Sequence, residues 1–213
     1  AQKVAQELAL YLHTCGYRVF LCFLYDKIGA LEQVRRQAPF AVIDLGARGA
    51  TRRWLDPLRT IRALARLFAL LRRQRIETLL TFQYYSNVFG PLIGRLAGVP
   101  VRISSQRTSY ASHAPWLLRL DGMVVNSALI DYMAPVSDAT RQFCIEREGM
   151  RPEKLRTIPN GVDLQRFDRR RWDSDVLERV RAELQAPVGA PLILTVGRLH
   201  PQKGHAYLID AAA

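Results

Sequence analysis

The sequence predicts an α/β fold, a parallel sheet with helices on both faces, followed by the start of a second unit of the same kind. Three observations predict it. Apolar runs of strand length alternate with segments of helical periodicity along the chain. The strand runs are nearly continuous in apolar residues, as strands covered on both faces are. Turn and capping residues fall at the joints.

Val4, Leu8 and Leu12, with Ala5, Ala9 and Tyr11, form a helical stripe that Gly16 stops. Tyr17 to Leu24 reads as a buried strand, Leu31 to Gln37 as a short helix and Phe40 to Leu45 as the next strand. A long helix is predicted from Pro57 to Arg75, with Pro57 in its first turn and Asp56 as its cap. Thr78 to Phe82 is a strand, Asn87 to Ala97 a helix closed by Gly98, and Val99 to Ser104 another strand. Trp116 to Leu129 reads as mostly helical and Tyr132 to Val136 as a strand. Ser137 is placed to cap a helix from Asp138 to Glu148, which Gly149 ends. Leu155 to Ile158 is a last strand, running into Pro159-Asn160-Gly161.

Composition then changes. Arg169, Arg170 and Arg171 mark an exposed connection, followed by a polar helix from about Asp175 to Leu184. Leu192 to Val196 reads as a fresh buried strand, and Gly204 to Ala213 begins a helix. The roughly 27 residues from Pro187 onward are too few for an independent core, since chains below about 40 residues rarely bury one.

The segment from Leu192 to Gly204 has a strand–loop–helix plan that carries chemistry. Gly197 ends the strand where the backbone can turn tightly. Arg198 and Lys203 flank a loop that leads to a helix N-terminus, with its unpaired N–H groups and partial positive charge. Cations beside such an end form a receptor for a diphosphate, although two loop cations also fit an ordinary solvated surface. Ligands of open α/β sheets sit beyond the carboxyl ends of the strands, where this loop falls. Ile158-Pro-Asn-Gly-Val-Asp163 is a second such element. Asn160-Gly161 tolerates left-handed backbone and so an abrupt reversal, and Asp163 offers a carboxylate at the same edge; a plain turn fits equally.

Val136-Ser-Asp-Ala-Thr140, Ile158-Pro-Asn-Gly-Val-Asp163 and Val196-Gly-Arg-Leu-His-Pro-Gln-Lys-Gly204 resemble, in order, three signatures of family 4 glycosyltransferases, the retaining enzymes of the two-Rossmann-domain GT-B architecture. The resemblance implies a Rossmann-like acceptor-side domain over 1–168 that lacks its first strand, a connection over 169–190, and the truncated start of a donor-binding domain over 191–213. It implies that Arg198 and Lys203 grip the diphosphate of a nucleotide-sugar donor and stabilise the leaving nucleoside diphosphate. Asn160, Gly161 and Asp163 would line the cleft. No tightly held cofactor or metal is implied. Asp173-Ser-Asp175 has the spacing of a metal-binding pair but sits in the arginine-rich connection. The acceptor would be a saccharide, lipid-linked or part of a cell-envelope glycan.

The sequence departs from the family pattern. The family's opening strand and glycine-rich loop would precede Ala1, and its paired donor-sugar glutamates would follow Ala213. A chain of this extent is therefore expected to bind donor poorly and turn over nothing. Many members carry a histidine just after the strand that here is Val99 to Ser104; this chain reads Ser104-Ser-Gln-Arg-Thr-Ser109. Arg107 is the candidate substitute contact to donor or acceptor, or it merely braces the loop. His113 lies nearby, and His200 and His205 flank the phosphate loop without matching a catalytic role.

Charge adds a surface. Lys and Arg total 31 against 19 Asp and Glu, a formal net charge of +12, which favours anionic partners. On the Pro57–Arg75 helix, Ile61, Leu64, Phe68 and Leu71, with Ala65, are predicted to face the sheet. Arg59, Arg62, Arg66 and Arg73 then form a basic face, solvated or docked on an anionic membrane surface. A cytoplasmic place, peripheral on the inner face of the membrane, goes with the second reading. No aromatic residues interleave with these arginines as a nucleic-acid stacking platform would need. Hydrophobic residues at 49% exclude a disordered chain. No run reaches the roughly 18 apolar residues of a membrane span. Cys15, Cys22 and Cys144 have no paired or metal-like spacing and read as buried free thiols of a reducing compartment. A nucleotide-sugar epimerase or phosphorylase on the same scaffold, and a basic membrane- or nucleic-acid-binding module, remain the alternatives.

Overall fold

A computed structural model of the chain describes residues 2–26, 29, 31–47, 57–108, 114–165, 167–187, 191–197, 199 and 201–212. The chain divides into two compact units, Ala1–Gly161 and Val162–Ala213.

The first unit alternates helices and parallel strands. Helix α1 (Gln2–Thr14) leads to β1 (Phe20–Phe23), α2 (Leu31–Gln37) to β2 (Ala41–Asp44), and α3 (Pro57–Arg73) to β3 (Thr78–Phe82). Helix α4 (Tyr84–Leu96) leads to β4 (Val101–Gln106), and α5 (Pro115–Asn126) to β5 (Tyr132–Pro135), before α6 (Asp138–Glu146). Among the described residues every strand pairing is parallel, and the α/β class expected from the sequence holds. The strands form two hydrogen-bonded groups, β1-β2 and β3-β4-β5, where one continuous sheet was expected. Among the described residues nothing pairs β1 with β3.

Local chemistry explains most boundaries. Ser137 caps α6 as predicted, its hydroxyl accepting from the Thr140 amide at 3.2 Å. Helix α4 lies close on β3 because small residues face the strand: a Cβ on Gly90 would stand 2.5 Å from Thr81 Cγ2, and one on Gly94 would stand 2.8 Å from Leu79 Cδ2. Leu155 to Ile158, expected as a strand, is an edge segment with one parallel bridge to Met133. Its Arg156 and Ile158 amides donate to the Met133 and Pro135 carbonyls at 3.0 and 2.9 Å.

Two apolar clusters form the core. Leu45, Ala63, Leu67, Leu71, Ala97 and Val99 pack where α3 and α4 meet the strands. Val125, Ile130, Met133, Cys144, Met150 and Leu155 join α5, β5 and α6. The buried stripe of α3 is Thr60, Ala63, Leu67 and Leu71, so the predicted face is corrected. Ile61 is 64% and Phe68 38% exposed, and Ala65 is exposed too. The helix is apolar around most of its girth, so small Ala63 and Thr60 can take the tightest contacts and turn the larger side chains outward.

A buried arginine, Arg102, ties β4 to the α5–β5 connection. Its guanidinium donates to the carbonyls of Leu129 at 2.8 Å and Ala128 at 3.3 Å, to that of Val99, and to Asp131 Oδ1 at 3.1 Å. Cys144 is buried as expected, whereas Cys15 is exposed and Cys22 half-buried. Among the described residues no helix is long and apolar enough to cross a membrane.

The second unit holds a 3-10 turn at Arg169–Arg171, α7 (Ser174–Glu183), a 3-10 turn at Pro201–Lys203 and α8 (His205–Ala212). Leu192 to Val196 is not the predicted buried strand: Ile193, Leu194 and Val196 are exposed, and no strand pairing is described for them. A strand needs a neighbour for its backbone groups, and none is described in Val162–Ala213.

Candidate functional site

Because β3, β4 and β5 run parallel, their carboxyl ends share one edge of the sheet, the edge at which open α/β sheets bind ligands. Gln83 and Arg107 follow β3 and β4 directly, and Ser137 follows β5 after Val136. Gln83 has φ 78° and ψ 154°, a region normally kept for glycine and worth roughly 1–3 kcal/mol of strain. The strain aims the chain from β3 straight into α4, whose first turn is closed by the Asn87 amide donating to the Gln83 carbonyl at 2.9 Å. The predicted start of this helix at Asn87 therefore moves forward to Tyr84.

Arg107 leaves the end of β4 half-buried. Its Nη1 donates to Ser105 Oγ at 3.3 Å, while its buried Nη2 has no protein partner. Burial lowers its pKa from the ordinary value, because the charged form loses hydration. The guanidinium thus keeps a donor in reserve at the strand-end edge.

Behind the edge lies a polar cluster that sequence reasoning missed. Gln106 Nε2 donates to Glu148 Oε1 at 3.0 Å and Oε2 at 3.4 Å, all of it buried. Desolvation raises the Glu148 carboxyl to about 7, with Asp121 adding repulsion and the Cys144 and Gln106 hydrogen bonds opposing the rise. Asp121 is raised to about 6 by its own burial, and desolvation likewise raises the Cys144 thiol. A Cβ on Gly122 would stand 1.7 Å from the Glu148 carbonyl, so only glycine lets α5 approach this segment. Single polar residues inside apolar stretches look like surface positions in a sequence, and no spacing links 106, 121 and 148.

Asn160 and Gly161 close the first unit and Asp163 is the second residue of the second, all exposed. Neither Asn160 nor Gly161 adopts left-handed backbone. The left-handed turn expected there is not formed, and just before it the Ile158 amide still donates to the Pro135 carbonyl at 2.9 Å.

In the second unit Gly197 also avoids left-handed backbone, so its role is space rather than a tight turn. A Cβ there would stand 3.4 Å from both Lys203 Cγ and His205 Nε2. The structure thus brings together Gly197, Lys203 and His205, a histidine that matched no catalytic role in the sequence analysis. Gly204 carries the left-handed residue, φ 66°, between the 3-10 turn and α8, and its carbonyl accepts from the Leu208 amide at 3.2 Å. Exposed Lys203 therefore stands beside the N-terminus of α8, where partial positive charge gathers. Arg198 and His200 lie outside the described residues, as do Asp56 and His113. Among the described residues no three His, Cys, Asp or Glu side chains gather as a metal set.

Residues 1–166 match the profile of Glycosyltransferase Family 4. Over 164 residues the chain is 26% identical to the Escherichia coli UDP-Gal:alpha-D-GlcNAc-diphosphoundecaprenol alpha-1,3-galactosyltransferase, covering 73% of this chain and 40% of that protein. The crystal structure of a glycosyltransferase from Rickettsia africae ESF-5 superposes with a TM-score of 0.73 at 16% identity, covering 99% of this chain and 52% of that one. Anabaena HepE in complex with UDP gives 0.72 at 19% identity, covering 97% and 53%; HepE was also crystallised with UDP and glucose. The chain spans about half or less of the length of these proteins. At these identities the superpositions speak for the fold, a GT-B type arrangement of parallel sheets flanked by helices. The sequence match extends over most of the chain, and the chain belongs to glycosyltransferase family 4.

Proposed function

We propose that this protein is a glycosyltransferase that moves a sugar, with retention, from a nucleotide-diphosphate sugar to a saccharide acceptor that is lipid-linked or part of a cell-envelope glycan. The observation that carries the reading is the family match over residues 1–166. The E. coli relative's name joins a UDP-sugar donor to a diphosphoundecaprenol-linked acceptor, and HepE was crystallised with UDP. Residues 1–168 would form the acceptor side, 169–190 the connection and 191–213 the start of the donor side.

In this reading the bond between the anomeric carbon and the diphosphate oxygen breaks, and negative charge grows on the departing nucleoside diphosphate. Lys203, beside the N-terminus of α8, and Arg198 receive that charge. Donors fixed in place before the charge appears are the largest usual source of rate. Gly197 lets the Lys203 and His205 side chains come close to the backbone, a Cβ there standing 3.4 Å from Lys203 Cγ and from His205 Nε2. Asn160, Gly161 and Asp163 line the donor cleft, and Arg107 contacts donor or acceptor through its buried Nη2. The nucleotide sugar is a substrate, and no tightly bound cofactor enters.

The acceptor's lipid gives α3 a role. Its outward side carries Leu58, Ile61 and Phe68 next to Arg62 and Arg73, an apolar strip beside a basic one. That pairing suits the headgroup boundary of an anionic membrane, and with it a peripheral cytoplasmic location. Arg66 is partly spent, its Nη1 donating to the Leu45 carbonyl at 3.3 Å. The reading is tested by incubating the full-length protein with UDP- and GDP-sugars and an undecaprenyl-diphosphate-linked saccharide. Sugar transfer with a product anomer matching the donor supports it. Donor turnover without acceptor favours an epimerase, and release by inorganic phosphate alone favours a phosphorylase.

A further inference from the structure

Two arginines lie on β4 or directly after it, and the protein treats them differently. Arg102, near the amino end, is buried and answered by the chain. Its guanidinium donates to the Leu129 carbonyl at 2.8 Å and the Ala128 carbonyl at 3.3 Å, and it pairs with Asp131 Oδ1 at 3.1 Å. A buried arginine that only holds the fold together has this form, its donors met and its charge matched. Arg107, just past the carboxyl end, does not. Among the described residues no carboxylate pairs with it, its buried Nη2 has no partner, and desolvation is the cause of its lowered pKa. An unmet donor and an unmatched charge at the strand-end edge call for an anion from outside the chain.

The end of β4 is built to keep that guanidinium still. Ser104, Ser105 and Gln106 are 0%, 6% and 0% exposed, three successive buried polar residues where apolar ones would cost less. Each is held by different neighbours. Ser104 Oγ stands 2.8 Å from Thr81 Oγ1 of β3, and Gln106 Nε2 donates to Glu148. Ser105 is tied twice. Asn87 Nδ2 donates to its carbonyl at 3.1 Å, and its own hydroxyl donates to the Ala134 carbonyl of β5 at 3.2 Å. A hydroxyl has one hydrogen to give. With that hydrogen committed to Ala134, Ser105 Oγ is left with lone pairs, and Arg107 Nη1 donates to them at 3.3 Å. The serine therefore anchors one arm of the guanidinium and leaves Nη2 for a ligand, a donor set before the ligand arrives.

Charge and place choose between the two substrates. In the proposed function the cations of the Gly197–Gly204 loop already meet the donor's diphosphate. Arg107 belongs to the first unit, the acceptor side of that reading. We propose that Arg107 binds an anionic oxygen of the sugar acceptor, a phosphate oxygen of a lipid-diphosphate-linked saccharide, and that Ser105 is its positioning residue. The inference rests on the proposed sugar transfer.

The test is steady-state transfer by the full-length protein to an undecaprenyl-diphosphate-linked saccharide, with acceptor and donor varied in turn. Arg107→Gln should raise the acceptor KM by about tenfold or more and leave the donor KM within about twofold, which also reports that the variant is folded. Arg107→Lys keeps the charge and should lose at least about threefold less than Arg107→Gln. Ser105→Ala should raise the acceptor KM about threefold in the wild-type background and add nothing to Arg107→Gln, since it acts through that side chain. Ser104→Ala, a buried hydroxyl of the same strand that does not touch Arg107, should leave the acceptor KM within about twofold. An unchanged acceptor KM in Arg107→Gln, or a rise in the donor KM instead, would overturn the assignment to the acceptor. Equal losses in Arg107→Lys and Arg107→Gln would overturn the anionic ligand. Effects of Ser105→Ala and Arg107→Gln that simply multiply would overturn the positioning role. Arg107→Gln and Arg107→Lys, altered at a half-buried side chain, keep the acceptor assignment decidable if Ser105→Ala does not fold. A wild type that transfers no sugar would overturn the proposed function and this inference with it, whereas each of the other results counts against this inference alone.

Discussion

Glu148 is 2% exposed and sits between Gln106, Cys144 and Asp121, so ionising it in the folded chain strands a charge in protein. Its carboxyl titrates near 7, against 4.5 for the free group. A carboxyl whose folded pKa is raised contributes stability that is fully present below its unfolded pKa and is lost as pH rises through the folded one. At ~1.4 kcal/mol per pH unit, the rise from 4.5 to about 7 corresponds to about 3 kcal/mol lost between pH 5 and 8. Asp121, raised to about 6, adds a loss of the same sign at the lower end of that window. With a urea dependence of about 2 kcal/mol/M, the Glu148 part lowers the unfolding midpoint by about 1.5 M. Glu148→Gln removes the ionisation while its side-chain oxygen can still accept from Gln106 Nε2. The assay is urea unfolding of both proteins, by circular dichroism, at half-unit steps from pH 5 to 8. The variant should be the more stable protein at pH 8 and should lose most of the pH dependence. A wild-type midpoint unchanged across the range, or a variant falling as steeply as wild type, would refute this reasoning.

Three further outcomes follow from the same geometry. Arg102→Met leaves the carbonyls of Leu129, Ala128 and Val99 without their side-chain donor and should cost about 1–3 kcal/mol in thermal unfolding; a loss below 0.5 kcal/mol, about the smallest net worth of one hydrogen bond, would mean that the guanidinium is dispensable. Gln83→Gly removes a strained backbone state and should raise stability by about 1 kcal/mol after glycine's own entropic penalty, whereas a drop of that size would show that the Gln83 side chain outweighs the strain. Ile61→Ser with Phe68→Ser should weaken sedimentation with phosphatidylserine vesicles at fixed ionic strength; unchanged binding, or equal binding to neutral phosphatidylcholine vesicles, would remove α3 as the membrane face.

Much of this was legible in the sequence for physical reasons that can be named. Thr78–Phe82 and Leu31–Gln37 stand at their predicted bounds because each is a clean periodic run between turn residues. Ser137 was readable as a cap because its hydroxyl acts within one turn. The orientation of α3 was not, since a helix with apolar residues on most sides does not announce which of them pack; Thr60 and Ala63 won the core through size. Leu192–Val196 is apolar enough for a strand, but pairing is a property of neighbours, and no strand pairing is described for it. The buried set of Gln106, Asp121 and Glu148 was hidden because each residue lies on a different element and only folding joins them. At the candidate site, the strand–loop–helix plan put Gly197 and Lys203 on one loop, while the tight turn expected at Gly197 is absent. The approach of His205 to Gly197 was not legible, since it depends on the left-handed Gly204 that turns the chain into α8.

In the proposed function, the loop from Gly197 to Gly204 receives a nucleoside diphosphate through its cations and the end of α8. Isothermal titration of the full-length protein with UDP and GDP, beside its Arg198→Ala, Lys203→Ala double variant, tests it most directly. On that reading the wild type binds one nucleotide and the variant loses at least about a hundredfold in affinity, as expected for two charge-assisted contacts of ~1.5–3 kcal/mol each. Equal affinity in both proteins would contradict it.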